Sequence, residues 1–225
     1  MCMKFLVLNL KTYAESSGKN LTPLIKAAEA AAAAAPGVEV IVCPQQPQLS
    51  ESSMRTSLAV FAQACDAASG GRGTGSVIAP ELRAIDCKGT LLNHSERKVP
   101  LDVAKKVCVE AKAANLRVVA CADSVAEGVA LAGLGPWAVA VEPPELIGSG
   151  KSVSKEQPGV VREAVAKIKA ANPKVLVFVG AGVSNQQDAL AAVRLGADGV
   201  LLSSAFVRAA EPRAVAEAIA LGLEG

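Results

Sequence analysis

Five short segments, far apart in the chain, carry residues able to move a proton and hold an anion. They are Asn9 with Lys11, Asn93 with His94, Glu142 alone, Gly180 with Gly182, and Ser203 with Ser204. Together they offer a cation, an imidazole, a carboxylate and two small-residue turns. That inventory suits proton transfer on a phosphorylated compound, because small residues let backbone N–H groups approach a phosphate. Glu142 is the sharpest of the set. It closes the apolar run Val139-Ala140-Val141 and is followed by Pro143-Pro144, then Glu145, Leu146 and Ile147, then Gly148-Ser149-Gly150. The prolines stop a strand and the glycines let the loop bend, so the stretch reads as an acid at a strand mouth beneath a closable lid. Taken singly, each segment also has a plainer reading. Lys11 fits a solvated strand end, Gly180 and Gly182 an ordinary turn, and Ser203-Ser204 a helix cap. The loop after Glu142 fits a surface connection carrying an exposed acid.

The decision rests on the elements that must position these residues. Short apolar runs at 5–10, 38–43, 58–63, 88–92, 117–121, 138–141, 175–179 and 199–202 read as strands. Helical patterns lie between them at 24–35, 48–55, 80–84, 101–114, 124–132, 160–171, 185–194 and 212–221. Thr22 is expected to cap the first of these helices, with Pro23 at its first position, and Ser124 to cap the fifth. Residues 67–77 are a loop rich in Gly and Ser. Eight strands alternating with helices, and no linker, predict an α/β fold: one (β/α)₈ barrel spanning 1–225, compact because several helices are short. In such a barrel the strand C-termini share one face. All five segments fall on that face, and this coincidence favours a single site.

Composition narrows the class. The 225 residues are 51% apolar with 3% aromatic, so Ala, Val and Leu must build the core. Lys and Arg total 23 against 21 Asp and Glu, which leaves no charge excess to recommend nucleic acid or an anionic membrane as partner. No apolar run is long enough to span a bilayer, and the N-terminus lacks a signal-peptide pattern, so a cytoplasmic protein is expected. The six cysteines include no C-x-x-C pair and there is one histidine, which argues against a zinc site; the cysteines read as reduced core residues.

The segments NLKTY at 9–13, LLNHSE at 91–96, AVEPPELIGSG at 140–150, GAGVS at 180–184 and GVLLSSAF at 199–206 resemble triosephosphate isomerases. The short chain and the PPELIG loop resemble the archaeal-type branch. The resemblance implies His94 as the electrophile polarising a carbonyl, Glu142 as the base moving a proton between two carbons, and Lys11 as the cation beside them. It further implies that Asn9, Leu10, Lys11, Ile147, Gly182, Ser203 and Ser204 bind substrate, that Glu96 holds Lys11 or its neighbours in place, and that no metal or organic cofactor is used. Thr74-Gly75 matches a family loop that inserts into a neighbouring subunit. A homo-oligomer is therefore expected, a dimer at least and a tetramer for this branch. The Pro143-Pro144-Glu145 hinge departs from the Trp-containing hinge of the more familiar members, Gly182 stands where they carry Ser, and Ser203-Ser204 replaces a Gly pair. Ser95-Glu96 is expected to open a short helix whose N-terminus keeps His94 uncharged. Two other readings compete: a sugar-phosphate epimerase, disfavoured by the single histidine, and a non-catalytic phosphate-binding barrel.

Overall fold

The computed structural model describes residues 2–68, 70–142 and 153–225. Strands β1 (Lys4–Asn9), β2 (Val38–Cys43), β3 (Ala59–Ala62), β4 (Gly89–Leu92), β5 (Arg117–Ala122), β6 (Ala138–Val141), β7 (Leu176–Gly180) and β8 (Gly199–Leu202) pair in parallel and in chain order. β1 also pairs with β8 and closes the barrel. Around it run α1 (Leu21–Ala34), α2 (Leu49–Arg55), α3 (Ala79–Ala84), α4 (Leu101–Ala113), α5 (Val125–Ala132), α6 (Val153–Glu156), α7 (Pro158–Ala171), α8 (Gln186–Arg194), α9 (Ser204–Val207) and α10 (Pro212–Glu224). The expected (β/α)₈ barrel is present, with helices as short as four residues.

Strand alternation divides the core in two. Phe5, Val7, Ile41, Cys43, Phe61, Leu91, Val119, Cys121, Ala138, Ala140, Phe178 and Leu201 pack together inside the barrel. Their neighbours in sequence, among them Leu6, Leu8, Val40, Val42, Val118, Ala120, Val139, Val141 and Val200, pack outward against the helices. Both faces of every strand are therefore buried, which is why the strands read as continuous apolar runs. Alanine dominates the helix side: Ala27, Ala28 and Ala31 of α1 are buried, and α1 lies close against α10.

The N-terminal end of the barrel is sealed by rings. Trp137 meets Phe5, Phe61 and Phe178 at centroid distances of 4.8, 6.1 and 5.5 Å. The Arg117 guanidinium lies over Phe61 and Trp137 and makes a two-pronged ion pair with Glu39, at 2.9 and 2.5 Å. The few aromatics of the chain are thus concentrated at the end away from the proposed chemistry.

Three local expectations change. Helix α1 begins one residue before Thr22, after a 3₁₀ turn at Gly18–Asn20, so neither Thr22 nor any other side chain caps it. Pro23 still sits in the first turn, where its missing N–H costs nothing. Ser203 precedes α9 but makes no capping bond. Ser95 and Glu96 form a turn closed by Arg97 N–H to the His94 carbonyl at 2.7 Å, and no helix starts there. Ser124 does cap α5, accepting from Glu127 N–H.

Candidate active site

Inward alternation carries straight into the site. β6 points Ala138 and Ala140 inward, and two residues on stands Glu142. β7 points Phe178 inward, and two residues on stands Gly180. A Cβ at Gly180 would lie 2.5 Å from Glu142 Cγ and 2.8 Å from its Cδ. Only glycine leaves room for this carboxylate.

Glu142 is 5% exposed. Burial pushes its pKa up from 4.5 to about 7. The Cys121 thiol, a weak donor to the carboxylate, and the Lys11 charge hold it down to a lesser extent, while Asp123 and Glu96 push it up. Its Oε1 has no hydrogen-bond partner among the described residues. Across the barrel, His94 Nε2 lies 3.8 Å from Glu142 Oε2 and also lacks a partner. That separation exceeds a hydrogen bond, so both groups are free to meet a third molecule.

His94 owes its aim to its backbone. Asn93 has φ +58°, a left-handed conformation that asparagine tolerates better than most residues, and this turns the next side chain out of strand register. The Asn93 amide donates to the Cys121 carbonyl and to Glu127, and its oxygen accepts from Val99 N–H. Glu96 N–H donates to His94 Nδ1 at 3.1 Å. An Nδ1 that accepts carries no proton, so the proton of the neutral ring sits on Nε2, facing Glu142. Burial lowers the imidazole pKa, as does Lys11; Glu96 and Asp123 oppose them. The neutral histidine expected from a helix N-terminus is therefore present for a different reason: a desolvated ring pinned by one backbone N–H.

Lys11 is equally constrained, with φ +45°. Asn9 Oδ1 accepts its N–H at 3.1 Å, and Gln63 Nε2 donates to its carbonyl and to that of Cys43, both at 3.0 Å. Its ammonium meets Glu96 Oε1 at 2.8 Å, as expected for Glu96. Lys11, His94 and Glu142 share a cavity of about 600 Å³ with Gly182, Ser203 and Ser204. Gly182 has φ +68°, and Ser203 Oγ is buried without a partner among the described residues. Asn9 instead lines a neighbouring cavity of about 250 Å³ with Lys11, Gln63 and Arg97. Leu10 is not brought to either cavity: alternation turns it outward, fully buried in the helix-side core. Ile147, the Pro143-Pro144-Glu145 hinge and the lid to Gly150 lie outside the described residues.

The family model for triosephosphate isomerase matches residues 4–219. The chain belongs to the triosephosphate isomerase family. The triosephosphate isomerase of Methanosarcina barkeri is 41% identical over 217 residues, covering 96% of this chain and 97% of that protein. That of Pyrobaculum islandicum is 41% identical over 209 residues, 92% and 91% of the two chains. That of Methanosarcina mazei is 40% identical over 213 residues. These archaeal relatives match the short, archaeal-type branch expected from the PPELIG loop.

Four residues of this family member were not singled out from sequence as parts of the site. Gln63 braces the Lys11 backbone, Cys121 lies against Glu142, Asp123 adds charge behind it, and Arg208 lines the main cavity. The inward parity of β5 would have found Cys121 and Asp123, and the same parity along the run 58–63, which ends on Gln63 two residues after the inward Phe61, would have found Gln63. For Arg208 there was no local signal.

Two outcomes follow from this geometry. His94 is the only histidine in the chain, so ¹⁵N-detected NMR of the imidazole reads it alone. It is expected to show the Nε2–H tautomer and to stay neutral at pH values where an ordinary imidazole is charged; a ring that titrates normally near 6.5 would contradict the pinned arrangement. The second concerns stability. Because the folded-state pKa of Glu142 lies above its ordinary value, its favourable contribution is complete below about 4.5 and is lost as pH rises through about 7. Glu142→Gln cannot ionise. At 1.4 kcal/mol per pH unit between those two values, its unfolding free energy relative to the parent is expected to improve by about 3 kcal/mol between pH 4 and pH 8. Urea unfolding at both pH values checks this, and a gap that does not widen with pH would remove burial as the cause.

Proposed function

We propose that the protein interconverts dihydroxyacetone phosphate and D-glyceraldehyde 3-phosphate as a cytoplasmic enzyme of glycolysis and gluconeogenesis, with residues 1–225 forming one catalytic domain. Its membership of the triosephosphate isomerase family supports the reaction. Among the described residues no helix is long and apolar enough to cross a membrane. The observation that carries the mechanism is that Glu142 and His94 face each other over one cavity, His94 Nε2 at 3.8 Å from Glu142 Oε2, with Nε2 and the other carboxylate oxygen, Oε1, unpartnered among the described residues.

In this reading the Glu142 carboxylate takes a proton from the carbon next to the carbonyl. The electron pair of the broken C–H bond forms the enediolate double bond, and the carbonyl oxygen takes up the charge. His94 donates its Nε2 hydrogen bond to that oxygen without first being an imidazolium, and Lys11 stabilises the charge as it develops. His94 then gives its Nε2 proton to the former carbonyl oxygen and takes the proton of the hydroxyl on the carbon that was deprotonated; the new carbonyl forms there as the protonated Glu142 returns its proton to the former carbonyl carbon. A base held near pKa 7 is strong enough to abstract and weak enough to give the proton back. The Ser203 hydroxyl and the backbone at Gly182 and Ser204 receive the phosphate. The chemistry uses no cofactor. One histidine serves a single-base isomerisation; an epimerase of the kind that binds metal through several histidines has no basis in this chain.

We also read the protein as a homo-oligomer, a dimer at least and a tetramer as expected for this branch. Asp66 ties the neck of the loop that follows it: its N–H donates to the Val77 carbonyl, and its carboxylate accepts from Val77 N–H and from Arg97. Arg97 is three residues from His94. The loop holding Thr74-Gly75 is exposed, and the smaller cavity beside Lys11 could take such a loop from a second copy.

A coupled assay of both directions tests the activity. Glu142→Gln is expected to lose about a thousandfold or more in kcat, at the upper end of what a general base supplies, and near-normal turnover would remove Glu142 as the base. In the parent, kcat/KM is expected to fall as pH drops through about 7, because the protonated carboxyl cannot abstract. For the oligomer, replacing residues 68–76 with a short turn should give monomers of low activity. An intact, active oligomer by sedimentation would show that the loop has no such role.

A further inference from the structure

The charges lining the main cavity do not match its cargo. A phosphate monoester carries close to two negative charges near neutral pH. Among the described residues, the charged side chains on the wall are Lys11, Arg208, Glu96 and Glu142. Lys11 is already held by Glu96 at 2.8 Å. Without Arg208 the wall would therefore be neutral or negative, and entry of a dianion would be opposed.

Arg208 is held differently. Its backbone N–H donates to the Ser204 carbonyl at 3.0 Å, so it stands one helical turn beyond the Ser203-Ser204 turn. Among the described residues, the carboxylate facing its guanidinium is Glu15 Oε1, at 3.7 Å from Nε, with both side chains largely exposed. That is an ion-pair distance without a hydrogen bond, and an exposed pair of this kind contributes little. Glu15 belongs to the 3₁₀ turn Ala14–Ser16, which Tyr13 precedes, and Tyr13 also lines the cavity. The exposed pair thus lies at the rim of a cavity that Arg208 lines together with Ser203, whose buried Oγ has no partner among the described residues. A guanidinium presents a planar fork that fits phosphate oxygens better than it fits one distant carboxylate oxygen.

We propose that Arg208 is a second cation for the substrate phosphate, and that Glu15 holds it at the rim until a dianion enters the cavity. The inference rests on the isomerase reading for the identity of the substrate, though not for the anion site itself. Glu15 and the phosphate compete for one guanidinium, so removing either member of the pair has opposite consequences. Arg208 acts on the non-reacting end of the substrate, so its effect falls mainly on binding.

The test is calorimetric titration of the full-length protein with inorganic phosphate, alongside kinetics with glyceraldehyde 3-phosphate. Arg208→Gln is expected to weaken phosphate binding about three- to tenfold and to raise KM more than it lowers kcat. Glu15→Gln is expected to tighten phosphate binding about two- to threefold, and to have no effect once Arg208 is replaced. Arg208→Lys should fall between parent and Arg208→Gln. Arg213→Gln, which breaks an exposed pair with Glu217 on α10, is the control and should change neither quantity. Raising the ionic strength should shrink all these differences. Unchanged phosphate affinity in Arg208→Gln, weaker binding in Glu15→Gln, or a Glu15 effect that persists in the double variant would each overturn the proposal. If Arg208→Gln does not fold by circular dichroism, Glu15→Gln and Arg208→Lys carry the same comparison. The titration does not depend on turnover, so a protein that binds phosphate as stated and fails to isomerise would overturn the isomerase reading and leave this one standing.

Discussion

A carboxylate buried without a full set of hydrogen bonds is the constraint around which the rest is arranged. Water normally stabilises such a charge, and removing water raises the cost of ionisation. The surroundings of Glu142 do little to remove that cost. Gly180 clears space but offers no side chain, Cys121 is a poor donor, and one carboxylate oxygen is unpartnered among the described residues. The result is a base whose proton affinity lies near neutrality. A better-solvated or better-paired glutamate would be more stable and chemically inert at the same pH.

The barrel supplies the stability that this end gives up. At the opposite mouth, Arg117 lies over two rings and is paired through both prongs with Glu39. Between the two ends, the inward residues are ordinary packing groups. Along the barrel axis the inward layers therefore run from aromatic contacts, through aliphatic ones, to the polar residues that face the cavity. Asn9, Cys121, Glu142 and Gly180 are continuations of the inward positions of β1, β5, β6 and β7. The site is the last layer of the core, built from groups that cannot satisfy one another.

That continuity explains what the sequence made legible. Strands buried on both faces left unmistakable apolar runs, and the barrel followed from their number and from the helices between them. Glu142 stood out because its strand ends on it. The Leu10 side chain is not brought to the cavities, and parity says why: if Asn9 faces inward, its neighbour faces the helices. Contacts made by backbone were harder to read. The Glu96 N–H that fixes the His94 tautomer has no residue-type signature, and a turn of four residues looks much like the start of a helix. Thr22 had the chemistry of a cap, but the preceding 3₁₀ turn at Gly18–Asn20 moved the helix start past it. Arg208 was invisible because its relevance comes from closure of the barrel, which sets β8 beside β1 and so brings the turn after one to the turn after the other.

The pairing of the cations has a consequence for the base. An unpaired positive charge near Glu142 would favour its ionised form and lower its pKa, weakening it as a proton acceptor. Lys11 does lower it, and Glu96, bound to Lys11, raises it in turn. The same competition acts on His94, where Lys11 opposes and Glu96 favours the imidazolium. One carboxylate thus offsets the lysine at both Glu142 and His94, while the Glu96 backbone fixes which imidazole nitrogen carries the proton. A dianionic ligand would compete with Glu96 for Lys11, so binding is coupled to the proton affinity of the base. A negative ligand beside Glu142, in a cavity from which it expels water, raises that affinity further. The carboxylate would then be at its most basic when a substrate carbon is next to it, and less so when the cavity holds only water.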